Sequence, residues 1–342
     1  MFEQKDANVK VFQYDAFADR IVSTHRDYKN WLDNNYIHVY AWIDENAPLE
    51  FDRYTIDYMA PNVFGYHPLL EYNDFRGFLE GEDKKNIIDI IQKNSKTGSY
   101  WYLNLDQYYL KQEADYQKNH FIHDVLVVED TGSGFKYIQY LGGNYSECEA
   151  PYKDFYDAFC AHDDSCCYRI GPQNDVNYEF DLSRFKKMLK AYLECEDGFK
   201  DLDTYYQLDT FYNPDFYNAR LEHKKYWGID TYDIFEKCIK ECLNAQKMMD
   251  YRVGYAFYEH ISGLCVKLER CYQDKYIVVD KYTKIMEELS DYKSKLYSLL
   301  LIIMKYNVSL NGRQLEKQLP LIENMKKNVK RTLLEFYESL VL

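Results

Sequence analysis

The chain has 342 residues, 46% of them hydrophobic and 18% aromatic, with 37 tyrosines beside only 14 glycines and 7 prolines. So much apolar and ring surface offsets the entropy of ordering, which excludes a disordered chain, and the length implies one large domain or two ordinary ones. The 56 acidic and 42 basic residues give a formal charge of −14, which argues against a protein that tracks a nucleic-acid backbone or an anionic membrane surface.

No run of about 18 uncharged apolar residues exists. The richest stretch, Leu299 to Met304, closes at Lys305 and reads as a buried core helix. Met1-Phe2-Glu3-Gln4-Lys5-Asp6 lacks the basic flank and apolar segment of a secretion signal, so the expected compartment is the cytoplasm. Nine cysteines, none before Cys148, do not form the pattern of a disulfide framework.

In chain order, Asp15 to Leu32 carries apolar residues at Phe17, Ile21, Val22 and Trp31 with Asp15 as N-cap, which predicts one helix. Tyr36 to Trp42 alternates and is rich in β-formers, predicting a strand. Residues 44 to 80, punctuated by Pro48, Pro61 and Pro68, carry no assignable period. Asp83 to Asn94 is helical in pattern and ends near Thr97-Gly98; Tyr100 to Leu105 follows as a strand. A polar, aromatic loop from Asp106 to Asn119 leads to a strand at His123 to Val128, a turn at Asp130 to Gly134, and a hairpin strand at Phe135 to Leu141. Gly142-Gly143-Asn144 closes that unit, and Tyr152 to Cys160 is a short amphipathic helix. From Leu182 the period is helical, with helices at about 182–195, 230–248, 252–272, 281–305 and 312–340, the last broken or kinked at Pro320. The class is α+β, with a mixed domain over 1–170 and a mainly helical domain over 171–342.

The chemistry-bearing motifs are few. Gly132-Ser133-Gly134 is a hairpin turn without a Walker lysine, so no nucleotide or other cofactor is implied. Cys238 and Cys242 at i, i+4 and the adjacent Cys166-Cys167 lack partner pairs at finger spacing, so no metal is implied. Cys238, Cys242, Cys265 and Cys271 read as small buried hydrophobes. The most suggestive constellation is His120-Phe121-Ile122-His123, at the end of a polar loop and the start of an apolar strand, where an imidazole can exchange a proton in a cleft. Equally, both histidines could serve only to satisfy local hydrogen bonds.

Asn86 to Asn94, the strand through Asn104-Leu105-Asp106, the loop to Tyr116-Gln117-Lys118-Asn119, and His120 to Val128 together resemble the N-terminal domain of the BtrH-like family of butirosin biosynthesis. Tyr152 to Phe159, Asp250-Tyr251-Arg252 and Tyr258-Glu259-His260 extend the likeness thinly along the chain. The resemblance implies a papain-like fold of the bacteriocin-processing peptidase type, and a place in antibiotic or nonribosomal-peptide pathways. Its founding type moves an acyl group from a carrier protein to an amine. It places the catalytic histidine at His123, with His120 as its neighbour, and the nucleophilic cysteine near Tyr14 and Asp15, where this chain has none. The orienting acid belongs near Gln139 and Tyr140, where no carboxylate stands.

Two functions follow. One is acyl or peptidyl transfer, by amide formation or thioester cleavage, with His123 as general base and Cys148 as a displaced nucleophile; Ser23 and Thr24 lie about two turns beyond the expected position. Its partner would be an acyl or peptidyl carrier protein, docking on a basic patch such as Lys84-Lys85 or Lys224-Lys225. The other is non-enzymatic binding of an aromatic or peptide product in the former active-site cleft, lined by Tyr14, Trp101, Tyr102, Tyr108, Tyr109, Tyr116 and Tyr140. In either, Arg252, Glu259 and His260 would close the cleft.

Overall fold

The computed structural model describes residues 7–58, 67–79, 81–163, 166–197 and 224–341; Met1 to Asp6 and Pro61 lie outside them. In chain order its elements are α1 (Gln13–Val22), α2 (Tyr28–Asn34), β1 (Val39–Ile43), β2 (Tyr54–Tyr58), β3 (Leu70–Asp74), α3 (Ile87–Asn94), β4 (Tyr100–Asp106), β5 (Ile122–Asp130), β6 (Gly134–Leu141), β7 (Asn144–Pro151), α4 (Tyr152–Cys160) and β8 (Cys167–Pro172). There follow α5 (Leu182–Glu194), β9 (Lys225–Trp227), α6 (Thr231–Ala245), α7 (Tyr251–Gln273), α8 (Val279–Ser309), α9 (Arg313–Glu316) and α10 (Leu319–Ser339). The protein is therefore mixed α+β, with antiparallel sheets followed by a helical C-terminal region. No helix among the described residues is long and apolar enough to cross a membrane.

The chain forms two compact units, Met1–Tyr28 with Asn62–Asn177, and Lys29–Pro61 with Tyr178–Leu342. Sequence reading places a single boundary at 170; the structure instead crosses between units three times. Residues 29–61 belong with the C-terminal helices because β1 and β2 pair with each other, β1 pairs with β9, and α7 packs on β2.

The first unit is built on a six-stranded antiparallel sheet in the order β3-β8-β4-β5-β6-β7. Side chains alternate between faces along a strand. Trp101, Leu103 and Leu105 of β4, Val125 and Val127 of β5, Phe135 and Tyr137 of β6, and Cys148 and Ala150 of β7 share one core with Ile87 and Ile91 of α3 and Phe155, Ala158 and Phe159 of α4. The opposite face carries Tyr102, Leu126, Ile138 and Ile170 and meets α1, where Phe17 packs edge-on against Tyr102 at 6.1 Å between centroids.

Several expectations change. The helix expected from Asp15 to Leu32 is two: α1 starts at Gln13 and ends at Val22. Ser23 and Thr24 hydroxyls turn back onto the Arg20 and Ile21 carbonyls, each at 2.7 Å, and the His25 amide bonds the Val22 carbonyl at 2.8 Å. Gly142 and Gly143 do not close the unit. Both have positive φ, 54° and 83°, and form the two-residue turn into β7, whose polar outward residues hid the strand. The unassigned stretch 44–80 holds β2 and β3, both short. Pro320 does separate α9 from α10, sitting in the first turn of the latter.

The second unit packs α5 to α10 with the three-stranded antiparallel sheet β2-β1-β9. Two of its helices, α5 and α7, start on capping aspartates: Asp181 accepts from the Ser183 and Arg184 amides, and Asp250 from the Arg252 amide. Phe257 of α7 stacks on Phe235 of α6 at 4.8 Å, and Phe185 of α5 meets Phe336 of α10 at 5.7 Å.

Candidate functional site

The residues singled out in sequence are divided by strand parity. Trp101 is buried in the core beneath α3 and α4 and donates from its indole to the Ser95 hydroxyl at 2.9 Å. Its neighbour Tyr102 points to the α1 face and donates to the Asp124 carboxylate at 2.5 Å. The two rings therefore cannot line one groove. Tyr14 stacks on Phe12 at 5.4 Å near the start of α1, and the Tyr140 hydroxyl donates to the Lys10 carbonyl at 2.6 Å.

At the α1 N-terminus, where the resemblance would put a cysteine, stand Gln13, Tyr14 and Asp15, and the Gln13 side-chain amide donates to the Asp124 carbonyl. His123 pairs with Leu105 across β4 and β5 and shares its parity with Val125 and Val127, the face turned away from α1. Its Nδ1 lies 3.3 Å from the Asp124 carbonyl, and its ring 5.5 Å from Phe121. The expected pairing of His123 with the start of α1 is thus not formed.

Cys148 is a core residue, 3% exposed, with its sulfur 3.6 Å from the Gln139 amide nitrogen. Burial first, and the nearby Glu113 and Glu147 charges, push its thiol up. Every other described thiol with a displaced pKa is also pushed up, by burial or, for Cys238, chiefly by its bond with Cys242. A reactive thiol needs the reverse shift. None of the nine cysteines forms a disulfide, and no group of three or more metal-ligating side chains occurs among the described residues.

What the fold does gather is the loop between β4 and β5. Asp106, the last residue of β4, is buried, and its Oδ1 accepts from the Tyr108 amide at 3.0 Å and the Phe121 amide at 3.2 Å. Its Oδ2 lies 2.6 Å from His120 Nδ1. The Gln107 amide bonds the Phe121 carbonyl at 2.9 Å and the Gln117 amide bonds the Tyr108 carbonyl at 3.0 Å, so the loop is closed at its base and across its middle. The His120 ring stacks on Tyr108 at 4.4 Å, tilted 18°, and lies 6.2 Å from Tyr109. Its side chain is 63% exposed, while the Asp106 side chain is 3% exposed.

A buried carboxylate thus fixes one imidazole nitrogen while the ring remains open to solvent. This is the orientation a general base or a ligand-anchoring histidine requires. The half-buried Tyr108 and Tyr109 stand against it, Phe121, next in the chain, is 48% exposed with its ring against His123, and Tyr116 lies elsewhere in the same loop, its hydroxyl accepting from the Gln117 side-chain amide at 3.1 Å. His120 and two of the predicted tyrosines, Tyr108 and Tyr109, come together here. Sequence reasoning missed Asp106 as the orienting acid, although an aspartate closing a strand before a polar turn is the available signal.

Arg252 and His260 have structural partners within the second unit. Arg252 bonds Asp250 at 2.5 Å and Asp52 at 2.7 Å, and His260 Nε2 lies 2.8 Å from the Ile37 carbonyl. Burial lowers the His260 pKa to about 4, so the ring is neutral. No protein-family model matches the chain, and no curated protein matches it in sequence.

Proposed function

We propose that the chain is a non-catalytic binding protein, a degenerate relative of papain-like, BtrH-type proteins of natural-product pathways. Its ligand would be an aromatic or peptide molecule held on the loop that carries His120. The observation that carries this reading is the Asp106–His120 pair, oriented and stacked on Tyr108, in a protein whose candidate nucleophile Cys148 has its thiol pushed up by burial. A half-exposed tyrosine ring stacked on an imidazole that can donate or accept a hydrogen bond suits a phenol, an aromatic acid or a peptide aromatic residue. Tyr108 behind the imidazole keeps it from rotating away, and the buried Asp106 determines which nitrogen is presented. Of the lysines considered for a carrier protein, Lys84 bonds the His162 carbonyl and Lys224 lies 5.0 Å from the Tyr226 ring centroid. The binding reading requires no carrier partner.

The test is incubation with an acyl thioester of a small thiol, followed by intact-mass analysis and a turnover assay. In parallel, a tyrosine-containing peptide is titrated while amide resonances are followed. The expected result is no adduct, no turnover, and peptide-induced shifts at Tyr108, His120 and Phe121 that His120→Ala weakens. An acyl adduct on Cys148, or turnover abolished by His120→Ala, would replace binding with acyl transfer.

A further inference from the structure

In the second unit, α5 and α10 pack side by side around a cavity of about 280 Å³. Helix α5 contributes Lys190, Leu193 and Glu194, spaced i, i+3, i+4, and α10 contributes Lys330, Leu334 and Tyr337, spaced i, i+4, i+7. Each set therefore forms one helix face. The floor is apolar: Leu193 is buried beneath it, Tyr337 is half-buried, and Leu334 remains 44% exposed.

The rim is basic, against the sign of a chain whose net charge is −14. Among the described residues Lys190 makes only a long contact to Glu194, at 3.8 Å between exposed groups. Lys330 has no hydrogen bond or ion pair within bonding distance among the described residues, although its charge is felt by Asp230 and Cys195. Lys186 stands behind Tyr337, its Nζ 5.1 Å from the ring centroid and 2.9 Å from the Leu340 carbonyl. An apolar floor excludes a fully hydrated ion, two underused ammonium groups select an anion, and Glu194 on the same rim penalises a second negative charge.

We infer that this cavity binds an amphipathic monocarboxylate, its carboxylate between Lys190 and Lys330 and its alkyl chain or single ring on Leu193, Leu334 and Tyr337. The site is separate from the His120 loop, and neither requires the other.

The experiment titrates octanoate into the full chain by calorimetry and by methyl NMR, with octylammonium as the charge-reversed control. Saturable octanoate binding with shifts at the Leu193 and Leu334 methyls is expected, and no binding of octylammonium. Lys330→Met should weaken octanoate roughly tenfold, the loss of one charge-assisted contact. Leu334→Asp should weaken it further by placing a carboxylate on the floor. Both positions are exposed, so unchanged melting temperatures verify that the variants fold. Absence of saturable binding by the native chain, or affinities that both substitutions leave within about twofold, would overturn the inference.

Discussion

His120 Nδ1 lies 2.6 Å from Asp106 Oδ2, across 14 residues of chain, and the same carboxylate receives the amides of Tyr108 and Phe121. One buried side chain thus closes the loop at both ends and aims the imidazole between them.

Asp106→Ala should consequently release the whole loop. It strands two backbone amides and an imidazole, each normally contributing about 1 kcal/mol, so a loss of roughly 2–4 kcal/mol is expected. Asp106→Asn, which retains one acceptor oxygen, should cost about half as much. Urea unfolding measures the loss, and faster hydrogen exchange at Tyr108 and Phe121 locates it.

Glu113 in the same loop is 8% exposed, and its Oε1 finds no hydrogen-bond partner among the described residues. Burial, with Asp115 adding like charge, lifts its pKa to about 7. Tyr137 of β6 and Cys148 of β7 both feel its charge, and neither is cationic. The folded state binds this proton more tightly than the unfolded state, so the stability it contributes is full below the ordinary carboxyl value near 4.5 and is lost as pH rises through 7. The span corresponds to about 3 kcal/mol. Glu113→Gln should therefore be more stable than the native chain above pH 7 and close to it below pH 5, as read from denaturant midpoints across pH.

The histidines act in the opposite sense. Burial lowers His260 to about 4 and His67 to about 3, and His67 Nδ1 accepts the Leu69 amide at 3.1 Å, a bond only the unprotonated nitrogen can make. Their contributions are full above the ordinary value of 6.5 and are lost as pH falls toward those lowered values. Because Glu113 drives stability the other way over nearly the same interval, the native curve alone will be shallow. The difference between native and His260→Gln curves should show a loss of about 3 kcal/mol on acidification from pH 6.5 to 4. A pH-independent difference would refute the assignment.

Gly228 has φ of 55°, and a Cβ there would stand 2.0 Å from the Tyr192 carbonyl oxygen. The obstacle is backbone, which cannot swing aside. Gly228→Ala should cost about 3 kcal/mol or more, from strain and steric displacement together, and circular-dichroism melts provide the measurement.

Strong periodicity was sufficient to locate α5, α7, α4, β4 and β5 to within a few residues of their observed ends, because their patterns repeat over enough residues to outweigh local noise. The β1, β2 and β9 strands are five residues or fewer, and two of them went unrecognised, since so short a run is stabilised by its partners more than by its own sequence. For the site, the sequence supplied His120 and the tyrosines around it, along with the absence of any cysteine near α1.

By itself, then, the amino-acid sequence determined a folded, acidic, mixed protein with a helical C-terminal region and a histidine-bearing loop between two strands. Only the tertiary structure decided which sheet face each residue occupies. Alternation states that Trp101 and Tyr102, or His123 and Asp124, oppose each other, but not that α1 covers one face and α3 with α4 the other. The choice of Asp106 as the partner of His120, and the grouping of β1 and β2 with the C-terminal helices, likewise rest on contacts between distant parts of the chain. Such contacts exist only after their loop-closure entropy has been offset by packing, and no local pattern records them.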